Sequence, residues 1–241
     1  MATQINVLRL GLDQVYVVRE MGIIVVDGGA PGKFAAFVAG LRALSVAPKE
    51  VKLLVLTHGH WDHIGCASAI REVTTAPIAM HYSERERIER PCKSMPPGIT
   101  LWGKVVGGLC SLAIVPFQRF PPARVDIAVL DEGMSLEPFG IGGRILHTPG
   151  HSPGSLSVLL DSGDAFVGDL AMNKFPLRVG PCLPLFAEEL PRLKSSMQKL
   201  ISNGAKRIYP AHGASFPVGL LERAVQRLHQ MGTSHPSAFK T

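Results

Sequence analysis

Four side chains that commonly bind metals lie within a single six-residue segment, residues 58–63. The segment reads His-Gly-His-Trp-Asp-His and directly follows the apolar run 51–56. Imidazole and carboxylate ligands together suit zinc, iron or manganese. Because alternate side chains of an extended segment point the same way, His58 and His60 can reach one ion. Asp62 and His63 come where the chain turns and can face a second ion, so this cluster can begin two metal sites.

Three further candidate ligands each follow an apolar run of their own. His151 comes after residues 144–150, Asp169 after 165–168 and His212 after 206–211. Loops at strand ends are where a rigid scaffold presents functional groups. We therefore predict four strand-then-turn units that bring their ligands to one site.

The motifs and their order resemble those of the metallo-β-lactamase superfamily over roughly residues 10–215. Residues 57–63 read T-H-G-H-W-D-H, residues 148–155 read T-P-G-H-S-P-G-S, and the pairs Gly168-Asp169 and Ala211-His212 follow. Asp27, in an Asp-Gly-Gly turn, also resembles the aspartate of a loop near that family's active site. The resemblance implies an α/β fold, a four-layer αββα sandwich with the metals at one edge of its two sheets.

The resemblance also assigns the candidate ligands to two ions. It implies three imidazoles on the first ion, a carboxylate and two imidazoles on the second, and a carboxylate that bridges them. In that order, the residues are His58, His60 and His151; Asp62, His63 and His212; and Asp169. Asp27 is expected to support the ligands from behind.

One departure from the zinc β-lactamases narrows the expected chemistry. Those enzymes generally offer a cysteine in the second metal site where this chain places Asp169, and none of the four cysteines stands in a matching context. Asp169 makes the chain look more like the glyoxalase II, lactonase and general hydrolase branches. The cofactors implied are two divalent metal ions, most simply zinc, with iron or manganese as alternatives.

The expected reaction is hydrolysis of a carbonyl compound. Two ions about 3.5–4 Å apart can hold a hydroxide that is nucleophilic at neutral pH. Esters, thioesters, lactones and lactams all suit that attack, and Asp62 is the candidate catalytic residue that orients the hydroxide or carries a proton. The alternatives are a mononuclear iron persulfide dioxygenase and a phosphodiesterase or nuclease of the same superfamily. A non-enzymatic metal-binding protein is disfavoured because the ligand set is complete.

Short strands and helices must position these residues. Apolar runs separated by Gly and Pro predict strands at 15–19, 22–26, 51–56, 78–81, 126–130, 144–148, 155–160, 165–167 and 207–209. Helical spacing predicts helices at 33–44, 67–73, 84–89, 188–201 and 218–231. Residues 84–122, rich in proline and apolar side chains, are predicted to be a helical or irregular insertion lying over the site. We expect one domain over 1–231 and a flexible tail over 232–241.

Composition sets the remaining expectations. Apolar residues make up 46% of the 241 residues, which permits a sizeable core. The net charge of +6 comes from dispersed basic residues, which gives no clear sign of nucleic-acid binding. No signal peptide and no apolar run of about 18 residues is seen, so we predict no membrane span and a cytoplasmic location. The expected partner is a small-molecule substrate with an apolar portion, and the sequence gives no oligomeric state.

Overall fold

The computed structural model describes residues 3–11, 13–91 and 95–234, which contain two six-stranded sheets. The first sheet has its strands in sequence order: β1 Gln4–Leu10, β2 Asp13–Arg19, β3 Ile23–Val26, β4 Val51–Val55, β5 Ile78–His81 and β6 Ile127–Val129. β1 to β3 are antiparallel, whereas β3 to β6 run parallel. The carboxyl ends of β3, β4 and β5 therefore meet at one edge of this sheet.

The second sheet is formed by the other half of the chain. Its first strands are β7 Met134–Ser135, β8 Gly143–His147, β9 Leu156–Leu160 and β10 Asp164–Gly168. A two-stranded ribbon of β11 Arg178–Val179 and β12 Leu183–Pro184 follows, and β13 Arg207–Pro210 and β14 Phe216–Pro217 complete the sheet. β10 and β13 are parallel neighbours, so their carboxyl ends lie side by side.

Seven α-helices lie in the described part of the chain. They are α1 Phe34–Ala43, α2 Trp61–Ile64, α3 Ala67–Thr74, α4 Arg85–Glu89, α5 Leu101–Ala113, α6 Leu190–Ser202 and α7 Gly219–Ser234. Among them, α1, α3, α6 and α7 cover the outer faces of the sheets. None of the helices in the described part of the chain is long and apolar enough to cross a membrane.

The buried apolar residues form three clusters, one at each boundary between layers. Phe37 and Leu41 of α1 pack on the first sheet, and Leu193 and Met197 of α6 pack on the second. The third cluster lies between the sheets and contains Phe166. Three packed interfaces correspond to four layers, so the predicted αββα sandwich is confirmed.

Strand β4 shows why the sequence produces this layering. Leu54 belongs to the cluster under the helices, whereas its neighbours Leu53 and Val55 belong to the cluster between the sheets. Alternate side chains of a strand point to opposite faces, and both faces of this strand are covered. A nearly continuous apolar run is the expected sequence of such a strand.

Most predicted elements are present, with a few differences. Strand β1, the short strands β7 and β14 and the β11–β12 ribbon were not predicted. The closing helix continues three residues beyond its predicted end, to Ser234. The rest of the predicted tail, 235–241, lies outside the described residues.

Candidate metal centre

All seven predicted ligands come together where strands of the two sheets end. His58 and His60 follow β4, and α2 then carries Asp62 and His63. The other three follow β8, β10 and β13: His151, Asp169 and His212. The four predicted strand-then-turn units therefore converge, and the first sheet supplies four of the seven residues.

Three histidines form the first cluster. The nearest nitrogen atoms of His58, His60 and His151 lie within 4.8 Å of one another, and His60 Nδ1 is 3.0 Å from His151 Nε2. Burial, together with the neighbouring imidazoles, lowers the pKa of His58 and His60 well below its ordinary value. Burial likewise lowers the pKa of His151. Neutral imidazoles carry the lone pairs that a metal requires.

A carboxylate and two histidines form the second cluster. Asp62 Oδ2 lies 3.5 Å from His212 Nε2 and 3.9 Å from His63 Nε2. Asp62 retains 20% side-chain exposure, while both histidines are almost fully buried. Asp62 is therefore the member of this cluster that remains accessible from the cavity.

Asp169 lies between the two clusters. Its Oδ2 is 3.5 Å from His151 Nε2, while its Oδ1 is 3.5 Å from His63 Nε2 and 3.4 Å from His212 Nε2. Burial alone would raise the pKa of this carboxyl, but His212 and His63 lower it well below its ordinary value. An ionised carboxylate with one oxygen toward each cluster has the geometry of a bridging ligand.

The hydrogen bonding of these residues fits a metal centre. Among the described residues, four buried side-chain atoms lack a hydrogen-bond partner: Asp13 Oδ1, His58 Nε2, His63 Nε2 and Asp169 Oδ1. A buried polar atom without a partner costs about 1–3 kcal/mol, so such atoms require an explanation. Three of the four belong to the predicted ligands. Divalent cations of the zinc, iron and manganese type would satisfy this set of imidazole nitrogens and carboxylate oxygens.

A hydrogen-bond chain behind the ligands sets which nitrogen of each ring faces inward. The Asp27 carboxylate accepts from Thr57 N at 2.8 Å and from His63 Nδ1 at 3.0 Å. Thr57 Oγ1 donates to Asp27 and lies 3.1 Å from His58 Nδ1, from which it can accept. His151 Nδ1 donates to the Phe186 carbonyl at 2.9 Å. In each of the three rings, Nε2 is directed into the site. Burial would lower the pKa of His63, but Asp169, Asp27 and Asp62 raise it well above its ordinary value, so a metal ion would displace a proton from that ring.

Two carboxylates near the site were missed by the sequence analysis. Asp13 Oδ1 lies 3.5 Å from His212 Nδ1, and burial and the charge of Asp62 raise its pKa to about 7. β2 begins at Asp13 and runs antiparallel to β3, so its first residue lies at the edge where β3 ends. Predicting that strand from residue 13 instead of 15 would have placed Asp13 at this edge.

Glu84 is the second carboxylate that was missed, and it connects two ligand loops. It is fully buried, accepts from Gly59 N at 3.1 Å and accepts from Gly154 N at 2.9 Å. A Cβ on Gly59 would lie 2.8 Å from Glu84 Oε2, and one on Gly154 would lie 2.5 Å from Glu84 Cγ. Only glycine therefore lets both loops approach this side chain. Arg87 pairs with Glu84 at 3.3 Å and also reaches His60 Nε2 at 3.2 Å.

A cavity of about 400 Å³ opens onto the ligands, and its walls are mainly apolar. Trp61, Met172 and Phe186 contribute to it, with Cys110 and Ile114 from the predicted insertion. Lys33 is the single Lys or Arg among the described residues that line it. The prediction that the insertion lies over the site is thus supported by the residues that it contributes to the cavity wall.

Comparison with known proteins connects this arrangement to a family. Residues 10–212 match the family model of the metallo-beta-lactamase superfamily. Hydroxyacylglutathione hydrolase GloC of Haemophilus influenzae is 29% identical over 129 residues, which are 50% of each chain. The chain spans 56% of the length of another curated relative, the probable metallo-hydrolase YflN of Bacillus subtilis, at 28% identity over 62% of this chain.

Solved structures show the same fold. The BLEG-1 B3 metallo-beta-lactamase superposes with a TM-score of 0.68 at 22% identity, covering 93% of this chain and 99% of that one. TTHA1623, solved in a di-iron-bound form, has a TM-score of 0.61 at 25% identity, covering 88% and 92%. With the match over residues 10–212, the converging histidines and aspartates and the αββα sandwich, this chain belongs to the metallo-beta-lactamase superfamily, whose relatives here include metal-dependent hydrolases.

Proposed function

We propose that this protein is a dinuclear metal-dependent hydrolase of small carbonyl substrates. The observation that carries the proposal is Asp169, whose two oxygens face one cluster each within 3.5 Å. His58, His60 and His151 would hold one ion, Asp62, His63 and His212 the other, and Asp169 would bridge them. Asp27 would keep His63 in the tautomer that a ligand needs. When bound, two such ions supply a nucleophilic hydroxide at neutral pH and polarise the substrate carbonyl.

Zinc is the metal that we propose, with iron and manganese as alternatives. The donor set consists of imidazole nitrogens and carboxylate oxygens, which all three metals accept. The similarity to TTHA1623, which was solved with two irons, supports a two-metal site but does not choose the metal.

The protein's own residues would orient the reaction and limit access of water. Asp62 is partly open to the cavity and lies among the candidate ligands. We therefore propose that Asp62 transfers a proton to or from the reacting group. Trp61, Ile114 and Phe186 cover the approach with apolar surface. An apolar wall of this kind would exclude water from a bound substrate and suits a substrate with an apolar portion.

A carbonyl substrate accounts for this cavity better than a nucleic acid does. Recognition of a phosphate chain depends on several cations, whereas Lys33 is the one cation on the described part of the wall. The similarity to GloC, named as a hydrolase of hydroxyacylglutathione, supports ester or thioester chemistry. Esters, thioesters, lactones and lactams therefore form the proposed substrate class.

The same reasoning extends to the organisation of the chain and its compartment. A core shared between the two sheets supports one domain over 1–231 that includes 84–122. Among the described cysteines, Cys66, Cys110 and Cys182 are free thiols, which is typical of a reducing compartment. We therefore keep the cytoplasm as the proposed location.

Metal analysis and a substrate panel test the proposal directly. We expect about two metal ions per chain in the purified protein and hydrolysis of at least one ester, thioester, lactone or lactam. His58→Ala should lose both metal and hydrolysis, whereas His229→Ala, a change at an exposed histidine far along α7, should lose neither.

Three outcomes would contradict the proposal. One is hydrolysis that survives intact in metal-free His58→Ala protein. Another is cleavage of bis(p-nitrophenyl) phosphate with no carbonyl substrate turned over, which would favour the phosphodiesterase alternative. The third is a single bound iron with oxygen consumption on a glutathione persulfide, which would favour the dioxygenase.

A further inference from the structure

The outward face of helix α5 is an exposed apolar surface. It carries a patch that we call the α5 patch, completed by the turn after the helix: Leu101, Trp102, Val105, Leu109, Leu112 and Phe117. At about 100° per residue, the five helical members fall within a sector of about 100°. Leu101, Leu112 and Phe117 are each at least 75% exposed, so most of their apolar surface is left uncovered by the described part of the chain. Clustered apolar surface of this kind marks interaction sites rather than ordinary surface.

The helix is turned opposite to the usual arrangement of a surface helix. Its buried residues are Gly103 and Gly107. A Cβ on Gly103 would lie 2.7 Å from the Leu185 carbonyl oxygen, and one on Gly107 would lie 3.1 Å from Phe186 Cε1. The small residues therefore pack against the protein while the large apolar residues face outward. The orientation of α5 is fixed by close packing on its glycine side.

The segment that carries the α5 patch has charges of a single sign. Residues 91–125 contain no aspartate or glutamate, and the described, exposed cations in this stretch are Lys104, Arg119 and Arg124. Lys104 lies on α5 itself, and Arg119 follows Phe117 by two residues. An apolar helix face whose own segment carries cations and no carboxylate is complementary to an anionic lipid surface.

A second copy of the chain is a poorer match for the same surface. A two-fold interface places the same patch on both subunits, so it would bring two sets of cations, with no carboxylate of this segment between them, toward one interface. Like charges placed opposite one another at an interface cost free energy. The α5 patch offers no carboxylate of its own to compensate.

We propose that the α5 patch docks this protein onto the surface of an anionic lipid bilayer. With 13 residues, α5 is about 20 Å long, which is shorter than a bilayer core of about 30 Å, so it would lie along the surface rather than span it. Cys110 and Ile114 near the end of the same element line the cavity over the ligands. Docking would thus hold the cavity entrance close to the bilayer, where molecules with an apolar portion concentrate.

Vesicle sedimentation of the purified full chain tests this surface independently of any hydrolysis. The probes are vesicles of phosphatidylcholine alone and of phosphatidylcholine mixed with phosphatidylglycerol. We expect binding to the mixed vesicles that weakens as salt is raised, because salt screens the exposed cations. Each cation near an anionic surface contributes about fivefold to affinity, so Lys104→Ala with Arg119→Ala should weaken binding about thirtyfold.

Paired variants distinguish binding through the α5 patch from nonspecific binding of other exposed residues to vesicles. Leu109→Ser with Leu112→Ser should abolish sedimentation, while the fold, followed by circular dichroism, stays intact because both residues are exposed. Met21→Ser with Leu130→Ser removes two other exposed apolar residues and should leave binding unchanged. Arg42→Ala with Lys49→Ala removes two exposed cations elsewhere and should also leave it unchanged.

Several results would overturn the proposal. Equal binding to both kinds of vesicle would remove the anionic surface as the partner, and binding to neither would remove the bilayer altogether. Light scattering that shows a dimer lost in the Leu109→Ser, Leu112→Ser variant, with no vesicle binding, would assign the α5 patch to a second copy of the chain.

Discussion

At the scale of single residues, Asp27 connects the Asp-Gly-Gly turn after β3 to the ligand segment after β4. One carboxylate accepts from the Thr57 backbone and from His63 Nδ1, and it is 3% exposed. Its backbone is in the left-handed region, at φ 67°, which is uncommon for a residue other than glycine. The combination of strain and buried charge indicates that this position is specified by the site rather than by the turn.

Replacing Asp27 with asparagine should weaken metal binding about 10–100-fold. An amide keeps the shape but cannot accept from Thr57 N and His63 Nδ1 with both of its terminal atoms, so His63 loses its fixed tautomer. Metal affinity, measured by competition with a chromophoric chelator, checks this. Asp161→Asn, a change at an exposed aspartate, is the matched control and should leave affinity unchanged. An Asp27→Asn protein with wild-type affinity would show that Asp27 does not support the ligands.

A buried histidine outside the candidate metal centre is expected to make stability depend on pH. His81 stacks on His147 with ring centroids 4.1 Å apart and an angle of 13°, and its Nε2 is 3.0 Å from Asp131 Oδ1. Burial, followed by the neighbouring His147, lowers the pKa of His81 below its ordinary 6.5, although Asp131 and Glu84 act in the opposite direction. The near-parallel rings also argue against this His81–Asp131–His147 cluster as a metal site, because one ion cannot lie in both ring planes.

The direction of the pH effect follows from that lowered pKa. Below pH 6.5 the unfolded chain takes up a proton on His81 that the folded chain does not yet bind, so stability falls as the pH decreases. Above pH 6.5 His81 is neutral in both the folded and the unfolded chain, so its effect no longer lowers the free energy of unfolding. We expect the free energy of unfolding to fall less steeply below pH 6.5 in His81→Gln than in the wild type, with His229→Gln as the control. Identical slopes in His81→Gln and wild type would contradict the assignment.

At the scale of elements, the loops that carry the candidate ligands could be predicted because each follows closely on a short run with apolar residues. The runs that became β4, β8, β10 and β13 are local signals, and the ligands stand within a few residues of their ends. The orientation of the ligands toward two ions required the family resemblance as well. Local sequence therefore placed each candidate ligand to within a turn of the strand end where the structure brings them together.

What could not be predicted depends on contacts between distant parts of the chain. Glu84 acts on Gly59 and Gly154, which are 25 and 70 residues away, and nothing near Glu84 in sequence indicates that it is buried. Strand β1 alternates apolar residues with Gln4, Asn6 and Arg9 at a sheet edge, so its apolar run is short and broken. β1 is held in the sheet by its seven-residue pairing with β2, and this pairing is a contact that its own composition does not indicate.

Glu84→Gln tests whether this carboxylate holds the two ligand loops together. The amide group can accept from Gly59 N or Gly154 N but not both, so one buried N–H loses its partner. The free energy of unfolding should fall by about 1–3 kcal/mol, measured by urea denaturation of the metal-free protein. Glu86→Gln, at a side chain that is 82% exposed, should change it by less than about 0.5 kcal/mol. Equal free energies of unfolding for the two variants would show that Glu84 does not hold the two ligand loops together.

At the scale of the whole molecule, the metal centre lies where two separately formed sheets meet. The first sheet supplies His58, His60, Asp62 and His63, and the second supplies His151, Asp169 and His212. These groups lie against one another across the two sheets, and three of their buried atoms have no hydrogen-bond partner among the described residues. Ligands that come from both halves bind an ion together only when the two sheets are packed on each other. An ion that binds the folded but not the unfolded chain must therefore stabilise the packing of the entire sandwich.

Adding zinc to the metal-free protein should raise its unfolding temperature as a single cooperative transition. At a free zinc concentration 100 times the dissociation constant, one site contributes about 2.7 kcal/mol, or about 5–10 °C for a chain of this size. Calorimetry of wild-type protein with chelator and with zinc measures the shift, and His58→Ala should lose most of it while His229→Ala keeps it. If zinc raised the melting of only one part of the molecule, the ligands would be binding within one half, and the assignment of residues from both sheets to a shared centre would fail.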